Sequence, residues 1–76
     1  VNTETYFTYN VTLGALIRKT IVYQIKVGAA QHRIKCEVLE NKGLLSSDFQ
    51  FLFTGEEAYM AAFKVALNNY IMQISD

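Results

Sequence analysis

Proline and tryptophan are absent from this sequence, and cysteine and histidine occur once each, as Cys36 and His32. One cysteine cannot form an intramolecular disulfide, and one Cys with one His cannot close a zinc site. Without proline, strand edges must be protected by charge, by short length or by pairing with another chain. Net charge is also missing, since seven Lys+Arg balance seven Asp+Glu. General nucleic-acid binding normally draws on a basic excess that releases counterions, so neutrality counts against it. No run approaches the ~18 apolar residues of a membrane span. No glycine-rich phosphate loop, nucleophile elbow or metal-ligand spacing occurs, so neither a cofactor nor an enzymatic activity is expected.

Core material, by contrast, is plentiful. Hydrophobic residues make up 51% and aromatics 13% of the 76 residues, too much for disorder. A single small domain over residues 1–76 is expected. A core of this size rarely supplies more than roughly 3–5 kcal/mol. With no disulfide or metal to add to it, a very apolar core and self-association are the routes that remain. The first residue is Val1 rather than Met. An excised domain or a processed mature product is therefore expected, with a secreted or envelope compartment favoured.

From Tyr6 to Leu13 apolar and polar residues alternate, with Phe7, Tyr9, Val11 and Leu13 on one face, which predicts a strand. Ile17, Ile21, Tyr23, Ile25 and Val27 keep the odd parity and predict a second strand, joined by a loop at Gly14, Ala15 and Leu16. Lys19 also falls on that inward face, near the strand end. After Gly28 the inward set moves to His32, Ile34, Cys36 and Val38. A four-residue loop from Gly28 to Gln31 then sets Val27 opposite His32, Ile25 opposite Ile34, Tyr23 opposite Cys36 and Ile21 opposite Val38. Asn41, Lys42 and Gly43 end the third strand, and Phe49, Phe51 and Phe53 mark a short fourth. Thr54 and Glu57 read as a capping box opening a helix from about Gly55 to Ile74, with Tyr59, Phe63, Ala66, Leu67, Tyr70, Ile71 and Ile74 on its apolar face. The expected fold is α+β: a four-stranded, mainly antiparallel β-sheet followed by one C-terminal α-helix packed on one face, in the order ββββα.

Candidate sites are few. Cys36 and His32 share a predicted strand face four residues apart, about 13 Å, too far for a nucleophile and its base. Glu56 and Glu57 are explained by the helix cap and dipole. Asn10-Val11-Thr12 matches a glycosylation sequon that short sequences contain by chance. Lys26 opposite Arg33, with Lys35 one pleat on and Arg18 further along, makes a basic outer sheet face bordered by Tyr6 and Thr8. Like charges set opposite one another favour an anion, as on single-strand nucleic-acid binders. On the back of the helix Ala58, Ala61, Val65 and Met72 form an apolar stripe where a lone domain would be polar, which suggests a second subunit or neighbouring domain.

The segments Val22-Tyr23-Gln24-Ile25-Lys26-Val27 and His32-Arg33-Ile34-Lys35-Cys36-Glu37-Val38 together resemble the central hairpin of TBP-like sheet-plus-helix domains of unknown function in secreted and envelope proteins. Those domains place a strand like Tyr6 to Leu13 before the hairpin and a helix after it, and usually another helix ahead of the sheet. In strand and helix order the chain is also similar to the PUR and whirly single-strand binders. Neither resemblance supplies a catalytic residue. The expected function is a small non-enzymatic protein-interaction domain, self-associating through the helix back or an edge strand, with a protein partner or homo-oligomer. The alternative is a nucleic-acid or anion-binding module using the basic sheet face.

Overall fold

The computed structural model describes residues 3–75. Its elements run β1 (Glu4–Gly14), α1 (Arg18–Gln31), β2 (Lys35–Lys42), β3 (Ser46–Glu56) and α2 (Glu57–Ser75). β3 lies in the middle of a three-stranded sheet of order β1-β3-β2 and is antiparallel to both neighbours. β1 and β2 are therefore parallel to each other, joined by α1 as a crossover with β3 inserted between them. Both helices cover the same sheet face, α1 over β2 and α2 over β1 and β3, and they touch each other. No helix among the described residues is long and apolar enough to cross a membrane.

This corrects the expected four strands followed by one helix to three strands and two helices. The segment read as the second strand is α1. Ile21, Ile25 and Ala29 are its buried residues, four apart, on one helical face, and Tyr23 points outward. The hairpin register of Ile21 to Val27 against His32 to Val38 consequently does not exist. Cys36 pairs instead with Phe53 and Val38 with Phe51, while Phe7, Tyr9 and Val11 pair with Phe53, Phe51 and Phe49. The inward parity of β1, β2 and β3 agrees with their alternation in sequence, while the strand partners differ. Thr54 is no N-cap either, because it lies in β3 between Tyr6 and Lys35. β3 runs through Glu56, and α2 starts at once with Glu57, whose N–H donates to the Thr3 carbonyl at 2.9 Å.

The core is an aromatic column on β3. Phe49, Phe51 and Phe53 project from alternate positions toward the helices, with successive ring centroids 6.2 and 5.9 Å apart. Phe63 of α2 meets Phe53 edge-on at 4.7 Å, and Phe7 and Tyr9 of β1 flank the column. Met60 and Leu67 complete the buried face of α2. Met60 was absent from the expected face, and Tyr59 and Ile74 sit at its exposed margin.

The two ends of α1 are unusual in opposite ways. Its N-cap is Ile17, which makes no side-chain capping bond, and Arg18 and Lys19 occupy the first turn. Its C-terminus closes as a Schellman motif: Ile34 N–H donates to Ala29 O at 2.8 Å, and Arg33 N–H to Ala30 O at 3.1 Å. The position that glycine usually takes there is filled by Arg33, at a φ of 59°. A left-handed non-glycine residue costs roughly 1–2 kcal/mol. Its guanidinium recovers part of this by stacking 5.5 Å over Tyr59, an exposed contact of about 0.5–1 kcal/mol. Arg33→Gly is therefore expected to stabilise the fold by a few tenths to about 1 kcal/mol. A urea midpoint that falls instead would show that the Tyr59 contact outweighs the backbone strain.

Candidate functional site

Four surfaces come from the sequence or the fold. Taking the predicted basic face first, its residues do not share a sheet face. Arg18 and Lys26 stand on α1, Arg33 in the turn after it, and Lys35 at the start of β2. Lys26 cannot lie opposite Arg33 in a ladder because it is helical. Arg18 donates from Nη1 to the buried Ser47 Oγ at 2.7 Å, and Arg33 donates from Nη1 to the Tyr59 hydroxyl at 3.2 Å.

The sheet face away from the helices is open. It carries Tyr6, Leu52 and Leu39 on a diagonal across β1, β3 and β2, all exposed. Beside them lies a shallow concavity of about 420 Å³ whose lining includes Asn10, Thr12, Leu39, Asn41, Asp48 and Gln50. Thr12 donates to Asp48 across it at 2.6 Å. Of the apolar diagonal, the sequence pattern singled out Tyr6 alone, because the strand order was not legible.

His32 and Cys36 also fall apart. His32 ends α1, with its ring against Phe63 and Nδ1 at 2.8 Å from the Gly28 carbonyl. Cys36 is half-buried on β2. Burial pushes its thiol above the usual range; Lys26 opposes that shift and Glu37 reinforces it. The folded thiol thus keeps its proton to higher pH than the unfolded one. The resulting stability is complete below the unfolded pKa and is lost as pH rises through the folded value. Two results are expected at alkaline pH. Stability falls in a way that Cys36→Ala abolishes, and a thiol reagent labels the folded protein more slowly than the urea-unfolded chain. Equal labelling rates would contradict the burial. Among the described residues no three His, Cys, Asp or Glu side chains are grouped to hold a metal.

The helix stripe and the sheet edge give a more coherent surface. Ala58, Ala61, Val65 and Met72 are all exposed on α2, Val65 at 63% and Met72 at 60%. Asn68 shares their side and approaches Met72 Sδ with its Nδ2 at 3.6 Å. Lys64, Leu67, Asn68 and Ile71 border a hollow shared with Phe7 and Tyr9, and Lys64 Nζ lies 4.8 Å from the Phe7 ring centre. That flank of α2 therefore overlooks β1. Ala61, Val65 and Met72 stand seven and three residues before Asn68 and four after it, so they continue the same flank outward.

Below the flank lies the outer edge of β1. β1 has β3 as its one strand partner among the described residues. It is 11 residues long, and from Thr5 to Gly14 it contains neither a charge nor a proline. The other edge, β2, is shorter at 8 residues and carries Lys35, Glu37, Glu40 and Lys42. One edge is thus protected by the usual means and the other is not. No family model and no curated protein matches this chain.

Proposed function

We propose that this is a non-enzymatic interaction domain that self-associates by pairing β1 with β1 of a second copy. The observation that carries the reading is the β1 edge, uncharged from Thr5 to Gly14, lying beneath the helix flank that carries Ala61, Val65 and Met72. Antiparallel pairing about a two-fold axis would extend the three-stranded sheet to six strands and satisfy the outer N–H and C=O groups of both edges. The same rotation sets the two α2 helices side by side on one sheet face. Ala61, Val65, Asn68 and Met72 would face their counterparts there, and alanine at the contact lets helices approach closely. The two surfaces named in the sequence, helix back and strand edge, become one interface.

Association also answers a physical need. A core this small is marginal alone, and a partner that binds only the folded state stabilises it by mass action. Sedimentation velocity over a concentration series tests the reading. A reversible monomer–dimer equilibrium in the micromolar range is expected, with thermal stability rising with concentration. A monomer at every concentration up to the high micromolar range would overturn it.

A further inference from the structure

At one end of the sheet the β1–α1 and β2–β3 connections meet. Leu16, Leu44 and Leu45 are there the three most exposed large apolar side chains among the described residues, at 99%, 95% and 82%, joined by Ile17 at 51%. The two turns are tied together, since Ala15 N–H donates to the Leu45 carbonyl at 3.1 Å. Ile17 N–H donates to Gly14 O at 3.2 Å, so the turn satisfies two of its own donors without water. One exposed leucine needs no explanation. Four aliphatic side chains projecting from one tip are a patch.

Charge around this tip is mainly positive: Arg18, Lys19 and Lys42 border one hollow, with Glu40 as the acid beside them. Arg18 and Lys19 follow Ile17 directly, and Lys42 precedes the second turn, while residues 13–19 and 42–47 contain no acid. In a chain of zero net charge that is a local excess. It is also placed against local stability. Cations in the first turn of a helix oppose its dipole, and an isoleucine at the N-cap leaves the capping position unused. Local rules broken together at one exposed place mark a functional surface.

We infer that this tip docks on the surface of an anionic lipid bilayer. Leu16, Ile17, Leu44 and Leu45 enter the interface, and Arg18, Lys19 and Lys42 meet the phosphate and carboxylate headgroups. Arg18 keeps free N–H donors for this after its one bond to Ser47. A bilayer suits the tip better than a protein groove does. The leucines of the tip stand almost fully exposed, no aromatic anchor accompanies them, and the charges beside them are unbalanced toward the positive, which an anionic lipid surface complements. The inference does not rest on self-association, because β1 pairs through its outer edge and not through these turns.

Vesicle co-sedimentation with the intact chain tests it, using phosphatidylcholine alone and phosphatidylcholine with about one-third phosphatidylserine. Binding is expected to the mixed vesicles, weakening with salt, and to be much weaker on phosphatidylcholine. Leu16→Ser with Leu44→Ser should lower the partition coefficient by at least about tenfold. Lys19→Gln with Lys42→Gln should lower it about fivefold per charge on the mixed vesicles and leave the neutral ones unchanged. All four positions are exposed, so thermal melting should show the variants folded. Failure of the wild type to bind phosphatidylserine vesicles at about millimolar lipid overturns the inference, as does undiminished binding by the leucine variant. Loss of self-association in the leucine variant, with lipid binding intact, would assign the tip to a contact between copies instead.

Discussion

Phe53→Ala is expected to leave the chain without a cooperative unfolding transition at room temperature. The side chain is fully buried, stacked 5.9 Å from Phe51, 6.1 Å from Phe7 and edge-on to Phe63 at 4.7 Å. Truncating a buried phenylalanine costs about 3–5 kcal/mol, from lost transfer energy and from the cavity left behind. That equals the whole stability expected of a core this small. Position adds to the effect, since Phe53 pairs with Phe7 on one side and Cys36 on the other and so touches all three strands. Urea denaturation followed by far-UV circular dichroism checks it. Phe53→Leu, which keeps most of the volume, should remain folded with a loss near 1 kcal/mol. An alanine variant within about 1 kcal/mol of wild type would mean that the aromatic column does not organise the core.

A second large effect is expected at the β1 edge. Thr8 and Asn10 point away from the helices, so Thr8→Lys with Asn10→Lys should leave the monomer folded. In an antiparallel β1–β1 ladder the new charges fall opposite or diagonal to their symmetry mates, about 4.5–8 Å away. Lysine on an exposed edge is also the device by which natural sheets refuse further strands. The dimer dissociation constant should rise at least tenfold, about 1.4 kcal/mol, with the melting temperature of the dilute monomer unchanged. Leu39→Lys on β2 serves as the mirror control and should leave association as it is. If the β2 variant dissociates the dimer and the β1 variant does not, the interface lies on the other edge.

How much of this was legible in the sequence depends on which periods can be told apart. β1 and β3 alternate strictly, and Phe49, Phe51 and Phe53 all face the helices as their parity predicts. α2 carries its apolar positions at helical spacing and appears within two residues of its expected bounds. α1 is ambiguous in the sequence for a definite reason. Ile17, Ile21 and Ile25 are four apart, and four is both nearly one helical turn and two strand repeats, so these residues fit either template. β-branched Ile21, Val22 and Ile25 favour a strand by propensity, and tertiary packing overrides that propensity. Gly28, read as a turn, lies inside the helix. A strand over this segment would set Lys26 and Arg33 in a ladder that does not exist, because Lys26 is helical. The helix stripe stayed readable because it depends on α2 alone. The apolar tip was not, because Leu16 and Leu44 become neighbours only when β1 and β2 both pair with β3.

The position of β3 has a consequence for how the chain is made. It is the fourth of five elements, yet every strand pairing passes through it, from Gly14 with Ser46 to Glu4 with Glu56. As the nascent chain leaves the ribosome, β1, α1 and β2 have no sheet to join until residue 56 emerges. At about 5–20 residues per second that interval lasts several seconds. Throughout it the uncharged stretch from Thr5 to Gly14 has two free edges instead of one and is open to intermolecular pairing. The same segment that we propose joins two finished copies is thus, for the length of one translation, the part of the chain most in need of a chaperone.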